Sequence, residues 1–292
     1  ITDSTHFIIS QDANSSFTST TVLTFAGGQD ASNTAVGYNA GTAVTTAINN
    51  TLIGSSAGDA LTTGSYNVAV GASSLSTTSV TVGNTAIGYG SLSVNVHGSK
   101  NTAVGMNTLV AMAPVSSSDS HNTAIGYSSQ VSATTGEFNT SLGSLSMGVG
   151  VTIGDYNVAI GYNAGTDLTS GARNVSSGAF SLTNITTGSN NVAIGYGTMA
   201  TANTGESKNV AVGALALNLM DSGTDNFNTA VGYSAGKDVT TGVSNTIIGA
   251  LAGDGFEIGD FNVVVGKGAL SAANAGNNNT AVGYEALALA AH

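Results

Sequence analysis

The sequence predicts an all-β chain folded as a parallel β-solenoid, and three observations carry this prediction. A nine-residue phrase, Asn-Thr-Ala-Val-Gly-Tyr-Asn-Ala-Gly at residues 33–41, recurs in variant form fifteen times, most often at intervals of seventeen residues. The phrase alternates with the period of two that a strand requires. A glycine stands three residues before the asparagine in most copies, where the chain can turn. Such repeats stack as successive coils, so we expect about fifteen of them.

Each coil is numbered here from its asparagine, which is position one. The fifteen asparagines are Asn33, Asn50, Asn67, Asn84, Asn101, Asn122, Asn139, Asn157, Asn174, Asn191, Asn209, Asn228, Asn245, Asn262 and Asn279. Identical amides stacked one coil apart can bond to one another, so we expect the asparagines to form ladders that hold the corner of the coil.

The alternation assigns positions two and four to one face of the strand and positions three and five to the other. Position two is Thr or Val, and position four is Val, Ile or Leu except at Ser177, so we expect this face to line the coil interior. Position three is mostly Ala and position five is always Gly, which indicates the close approach of another backbone. Position eight is always Ala, Ser or Thr, which suits the inside of a second short strand.

Composition favours one repeat domain, residues 33–292, preceded by a segment without the phrase, residues 1–32. The chain has 40 glycines, one proline, no tryptophan, 7% charged and 41% hydrophobic residues, and the hydrophobic residues fall in register. This pattern indicates order instead of disorder. Because the end coil of a solenoid presents unpaired backbone groups, we expect residues 1–32 to act as a cap or an attachment segment.

Charge and hydropathy argue against two classes of partner. The formal charge is −11, from 16 acidic and five basic residues, so no basic stripe is available to neutralise phosphates and nucleic-acid binding is disfavoured. The apolar runs are too short to span a membrane, so membrane insertion is not expected.

The pattern also argues against an enzyme. The four histidines, His6, His97, His121 and His292, have no triad, metal-ligand spacing or phosphate loop around them. The calcium-binding nonapeptide of some solenoids is missing as well. We therefore expect no catalytic residues, no bound metal and no cofactor.

Two longer coils are predicted to display binding loops, because insertions in repeats leave the strand register. The interval from Asn101 to Asn122 is 21 residues and contains the only proline, and the interval from Asn209 to Asn228 is 19 residues. A tolerated surface loop is the alternative interpretation. The candidate contact residues are Pro114, Ser117, Asp119, His121, Asp221 and Asp225.

Position six carries seven of the nine tyrosines. Tyrosine joins an apolar ring to a polar tip, which suits either a seam between neighbouring chains or a carbohydrate-stacking surface, and we favour the seam. The seven are Tyr38, Tyr89, Tyr127, Tyr162, Tyr196, Tyr233 and Tyr284.

The phrase Asn-Thr-Ala-Val-Gly-Tyr-x-Ala-Gly/Leu, followed by a Thr-Thr-Gly turn, resembles the head repeats of trimeric autotransporter adhesins. It is also similar to the repeat tracts of bacteriophage tail fibres. The resemblance covers residues 33–292. It implies a left-handed parallel β-roll, three chains side by side as a rod, and a role in attachment outside a cell or on a virion. The period is longer than that usual in adhesin heads, and no coiled-coil stalk, membrane anchor or chaperone domain is recognised.

A trimer would give the small residues of positions three and five a cause, since three coils can share an axis only where the facing side chains are small. Replacing Gly161 or Gly195 by a bulky residue is then expected to separate the chains before a coil unfolds. The residues assigned to the axis are Ala35, Gly37, Ala159, Gly161, Ala193, Gly195, Ala230 and Gly232.

Three functions remain open at this point. The first is a non-enzymatic attachment protein that binds an unknown host receptor or glycan. The second is a subunit of an extracellular filament that self-associates end to end, because the short segment after the last copy leaves a coil open. The third is an ice-binding solenoid, which is disfavoured because its threonines are expected to point inward.

Overall fold

The fold was analysed in a computed structural model that describes residues 32–114, 118–202, 205–271 and 276–288. The chain divides into two compact units, residues 1–135 and residues 136–292. The predicted segment of residues 1–32 lies almost wholly outside the described residues.

The first unit contains eight short strands. Six of them pair in parallel and in register in the order β1-β2-β3-β4-β6-β8, while β5 pairs in parallel with β7. The strands are β1 (Thr34–Val36), β2 (Thr51–Ile53), β3 (Val68–Val70), β4 (Thr85–Ile87), β5 (Gly98–Ser99), β6 (Thr102–Val104), β7 (Ser118–Asp119) and β8 (Thr123–Ile125).

The second unit contains nine strands that pair in parallel and in register in chain order. They are β9 (Thr140–Leu142), β10 (Val158–Ile160), β11 (Val175–Ser177), β12 (Val192–Ile194), β13 (Val210–Val212), β14 (Thr229–Val231), β15 (Thr246–Ile248), β16 (Val263–Val265) and β17 (Thr280–Val282). A further isolated parallel bridge joins Ser207 to Asp225.

The prediction of an all-β parallel solenoid is confirmed. The chain makes about 14 turns with seventeen-residue spacing, and the described ranges contain no helix. Each three-residue strand comprises positions two to four of a coil, so the recurrent phrase marks one wall of the solenoid.

The predicted assignment of the coil interior is wrong. Position three is buried in every coil, from Ala35 to Ala281, whereas no residue at position two or four is buried. Alternation shows that the two faces differ but not which one is inside. Alanine is large enough at most position-three sites because larger side chains from the opposite wall fill the rest of the coil interior. Position eight is buried from Ala40 to Ala269, as expected, although no strand forms there.

Much of the interior bulk comes from positions nine and twelve, and a glycine at position nine is compensated at position twelve. Five coils have glycine at position nine, and all five carry Val, Leu or Phe at position twelve. In the coil that begins at Asn157, a Cβ on Gly165 would lie 2.9 Å from Cδ1 of Leu168. Other coils carry Leu or Met at position nine, as at the buried Leu75, Leu182 and Met199. Glycine at position nine is thus always paired with a large residue at position twelve, but the reverse does not hold, because Leu182 and Ile185 of one coil are both fully buried.

The glycine at position five is required by stacking within one chain. Its φ lies between 129° and 140° in all fifteen coils, a conformation that L side chains rarely adopt. A Cβ on Gly37 would lie 2.5 Å from the carbonyl oxygen of Gly54 in the next coil. A Cβ on Gly161 would lie 2.8 Å from the carbonyl carbon of Gly178. Backbone geometry therefore accounts for the invariant column.

The asparagine ladder is confirmed. In the second unit, the backbone N–H of Asn174 donates to Oδ1 of Asn157 at 2.9 Å, and that of Asn191 donates to Oδ1 of Asn174 at 3.0 Å. The side-chain amide of Asn174 also donates to the carbonyl of Gly188 at 2.8 Å, which fixes the turn at the end of the coil. The same backbone bonds link Asn33 through Asn122 in the first unit, at 2.8 to 3.0 Å.

A second side-chain ladder lies two residues before the asparagines. Here a side-chain oxygen accepts a hydrogen bond from the backbone N–H of the preceding coil. Examples are Ser65 with Ile48 at 3.0 Å in the first unit, and Asp155 with Glu137 at 2.8 Å in the second. Each such bond satisfies an N–H that would otherwise be unpaired at the turn.

Candidate binding surfaces

The residues assigned to a trimer axis lie within their own coils or in its backbone wall. Ala35 is 4% exposed, and Ala159, Ala193 and Ala230 are fully buried inside a single chain, so they cannot line a surface between chains. That part of the prediction is wrong. The accompanying glycines, Gly37, Gly161, Gly195 and Gly232, have a sufficient cause in backbone stacking.

Positions two and four instead form what we call the outer face, which is an apolar strip on each unit. In the first unit it presents Thr at position two in five of six coils, with Val or Ile at position four. In the second unit Val outnumbers Thr at position two. Ile53, Ile87, Ile160, Ile194 and Ile248 are among its exposed large side chains. A row of exposed apolar side chains is a candidate interaction surface.

The position-six tyrosines are all exposed, between 48% and 69% of each residue. Their rings make few contacts within the chain. In the second unit, Phe180 stands edge-on to Tyr162 at 5.3 Å and to Tyr196 at 5.9 Å between ring centroids. Nζ of Lys267 lies 5.9 Å from the centre of the Tyr284 ring. The hydrogen bond between Tyr284 and Glu285 raises the pKa of that phenol.

The first long coil is tied back to the solenoid by its charged groups. Nζ of Lys100 lies 2.6 Å from Oδ2 of Asp119, beside the parallel pairing of β5 with β7. Asp119 and His121 are exposed, but Pro114 is buried and does not belong to a displayed surface. Ser117 lies outside the described residues.

The second long coil repeats the same device. Nζ of Lys208 lies 2.5 Å from Oδ2 of Asp225, and Asp221 is exposed nearby in sequence. In both long coils the acid stands three residues before the next asparagine, in the place that glycine usually takes. The ion pairs hold the base of each insertion.

Sequence reasoning missed a further surface, the corner ridge, which consists of the residue just before each asparagine from Asn50 to Asn279. Every described member has a φ between 50° and 70°, where Asn and Gly are favoured, yet ten of fourteen members are other residues. Three of the five basic residues lie on it. Its members are Asn49, Tyr66, Gly83, Lys100 and His121 in the first unit and Phe138, Tyr156, Arg173, Asn190, Lys208, Phe227, Ser244, Phe261 and Asn278 in the second.

Neighbouring members of the ridge contact one another in the second unit. The rings of Phe138 and Tyr156 stack with centroids 5.1 Å apart and planes 5° from parallel. Nε of Arg173 donates to Oδ1 of Asn190 at 2.9 Å. Nζ of Lys208 lies 5.0 Å from the centre of the Phe227 ring. The sequence signal that could have revealed this surface is the aromatic or basic residue before the asparagine in eight of fourteen coils.

The titratable groups are dispersed. Among the residues that the structure describes, no group of three or more His, Asp or Glu side chains could hold a metal ion. Burial raises the pKa of Asp254, and the neighbouring charge of Asp238 adds to that shift.

Within the described ranges, no helix is both long and apolar enough to cross a membrane. No family model matches the chain, and neither a curated protein nor a solved structure is significantly similar to it.

Proposed function

We propose that this protein is a non-enzymatic attachment protein, in which three copies of a left-handed solenoid pack side by side on the outside of a cell or virion. The observation that carries the proposal is the outer face, an apolar strip that each unit leaves exposed. The similarity of the repeats to adhesin heads and tail fibres supports the trimer, the handedness and the attachment role.

In this arrangement the outer faces, instead of the alanine and glycine positions, lie at the shared axis. Their Ile, Val and Thr side chains are regularly spaced by strand pairing, so copies of the chain can interdigitate along them. The position-six tyrosines are exposed two residues after each strand ends, and we propose that they border the same interface as a seam.

The trimer is tested by analytical ultracentrifugation of the purified chain, which should sediment as a trimer at micromolar concentration. Replacing Ile160 and Ile194 by Glu should give folded monomers, because two buried carboxylates per chain cannot be accommodated at an apolar axis. Ile258→Glu is the control, since Ile258 is exposed but belongs to neither position two nor position four of its coil. A wild-type monomer would overturn the trimer.

Attachment is tested by labelling with antibodies raised against the chain, followed by competition. Labelled projections on cells or virions, and inhibition of their adsorption by the soluble protein, are the expected results. Long homopolymers without adsorption activity would favour the filament subunit instead.

Ice binding is a second candidate, because the threonines of position two face outward and not inward. In the first unit, Thr34, Thr51, Thr85, Thr102 and Thr123 stand on one flat parallel wall. A trimer that covers this wall excludes ice binding, so the two functions compete for one surface. A monomer that shows thermal hysteresis in freezing solutions would support ice binding and overturn the trimer.

A further inference from the structure

We propose that the corner ridge of the second unit, from Phe138 to Phe227, binds a neutral carbohydrate chain. The inference deepens the attachment function proposed above and rests on it, because it names the chemistry of the surface to which the protein attaches.

The first step concerns the aromatic platform. Phe138 and Tyr156 are 42% and 56% exposed, and their stacked rings lie outside the coil interior. Both residues occupy the left-handed region, with φ of 57° and 60°, which is unfavourable for bulky side chains. Asn or Gly would hold the same corner with less strain. Large flat rings at a strained, solvent-facing corner therefore indicate a ligand that stacks on them, as the apolar faces of sugar rings do.

The second step concerns the polar groups beside the platform. Glu137 and Asp155 directly precede the two aromatic residues, and Asp155 is oriented by the hydrogen bond that it accepts from the backbone N–H of Glu137. Arg173 uses one of its five N–H donors in the hydrogen bond to Asn190. Carboxylates accept hydrogen bonds and guanidinium groups donate them, so together they match sugar hydroxyls, which do both.

The third step concerns charge. Aromatic and basic residues in one row also occur in proteins that bind single-stranded nucleic acids. Here, however, Asp225 pairs with Lys208, the residue before each of the two stacked aromatic residues is an acid, and the whole chain carries a formal charge of −11. A polyanion would be repelled along this surface, whereas a neutral glycan would not.

The fourth step concerns length and rigidity. The backbone N–H of Arg173 donates to the carbonyl of Asp155 at 2.9 Å, and that of Asn190 donates to Ala172 at 3.0 Å, so the ridge is held by the stacked coils. Six consecutive members at one strand spacing span about 24 Å. This length accommodates several sugar units of an extended chain.

The experiment measures binding of the full chain to dextran, mannan and galactan by affinity gel electrophoresis, with alginate and poly-dT as anionic probes. Wild-type protein should be retarded by at least one neutral polysaccharide and by neither polyanion. The double variant Phe138→Asn and Tyr156→Asn should bind at least about tenfold more weakly, given the strength of aromatic stacking. Its melting temperature should be unchanged or higher, because Asn adopts the left-handed region readily. Tyr66→Asn, at the same coil position in the first unit, is the matched control and should bind as wild type does.

The outcomes separate this inference from the attachment function. Absence of neutral polysaccharide binding, equal binding by the double variant, or retardation by poly-dT would overturn the ridge as a carbohydrate site. If the protein still competes for adsorption in any of those cases, the attachment function stands without the ridge. Polysaccharide binding that depends on Phe138 and Tyr156, without competition for adsorption, would support the ridge and contradict attachment.

Discussion

The first unit places polar side chains at the bulk positions of its coil interior, whereas the second unit fills those positions with apolar residues or glycine wherever they are described. Thr78, Asn95 and Gln130 are fully buried in the first unit. The hydroxyl of Thr78 donates to Thr81 at 2.8 Å, and Asn95 both donates to and accepts from the backbone of Gly98 at 2.8 Å. The stacked backbone therefore fixes the coil, and the interior tolerates polar groups when they bond locally.

The surfaces of the two units differ in the same direction. Aromatic residues on the corner ridge number four in the second unit, and Tyr66 is the one in the first. Threonine stands at position two in five of six coils of the first unit and in four of nine coils of the second. A constant backbone thus carries two different sets of side chains, one suited to polar contacts and one to apolar and aromatic contacts.

Substitution of the position-five glycine should have the largest effect, and it should be equally severe in both units. Gly37→Ala and Gly161→Ala each place a Cβ against the backbone of the next coil, at a φ that alanine does not adopt. We expect a loss of more than about 4 kcal/mol in the free energy of unfolding, measured by urea denaturation. Unfolding should therefore precede or accompany any separation of chains.

Gly283→Ala is the control for this comparison. Its Cβ would meet nothing closer than Cβ of Ala286 at 3.9 Å, although its φ is 131°. This variant should therefore lose only the free energy of unfolding that backbone strain costs, about 1–3 kcal/mol. Equal losses at Gly37, Gly161 and Gly283 would contradict the proposed contact between stacked coils.

Moving a large interior side chain from position twelve to position nine should have a smaller effect on stability, and this effect should differ between the units. In the second unit, Leu168→Ala leaves a cavity and should cost about 3 kcal/mol, while Gly165→Leu alone clashes with Leu168. The double variant should recover more than half of the loss. Another coil of this unit already combines a large residue at position nine, Met199, with a small residue at position twelve, Ala202.

The corresponding pair in the first unit should not be rescued. A Cβ on Gly58 would lie 2.7 Å from Cδ2 of Leu52, and that side chain remains when Leu61 is replaced by Ala. Thermal melts of both pairs of variants test the difference. Additive losses in the second unit would show that positions nine and twelve do not share one volume, and rescue in the first unit would show that Leu52 does not block the exchange.

The sequence predicted the parallel stacking and the asparagine ladder because both follow from the repeat period and from one invariant residue type. It did not predict which face is inside, since small residues at position three and branched residues at position four suit either side of a narrow coil. The exposed tyrosines at position six, which share the parity of positions two and four, were the available clue. The corner ridge was missed because residue types such as those at Phe138 and Arg173 do not indicate a left-handed φ of 50° to 70°.

Replacing an asparagine of the ladder should reduce stability by different amounts in the two units. Asn174 bonds through both side-chain atoms, whereas the side-chain nitrogen of the buried Asn101 has no partner. Asn174→Ala should therefore cost about 2–3 kcal/mol and Asn101→Ala about 1 kcal/mol less. Hydrogen exchange at Asn191 and Asn122, whose N–H groups lose their acceptors, provides the local measurement. A larger loss at Asn101 than at Asn174 would contradict the importance of the side-chain donors.

The smallest difference should come from the ion pairs at the two long coils. Both pairs are about half exposed, so Lys100→Met should cost no more than about 1 kcal/mol and the loss should vanish in high salt. Lys208→Met also removes the contact with the Phe227 ring, which adds about 0.5 kcal/mol. Methionine keeps most of the apolar stem, so the change isolates the charge. Urea denaturation at low and high salt should leave a residual loss only for Lys208. The same salt response in both variants would show that the ring contributes nothing and that the two insertions are held alike.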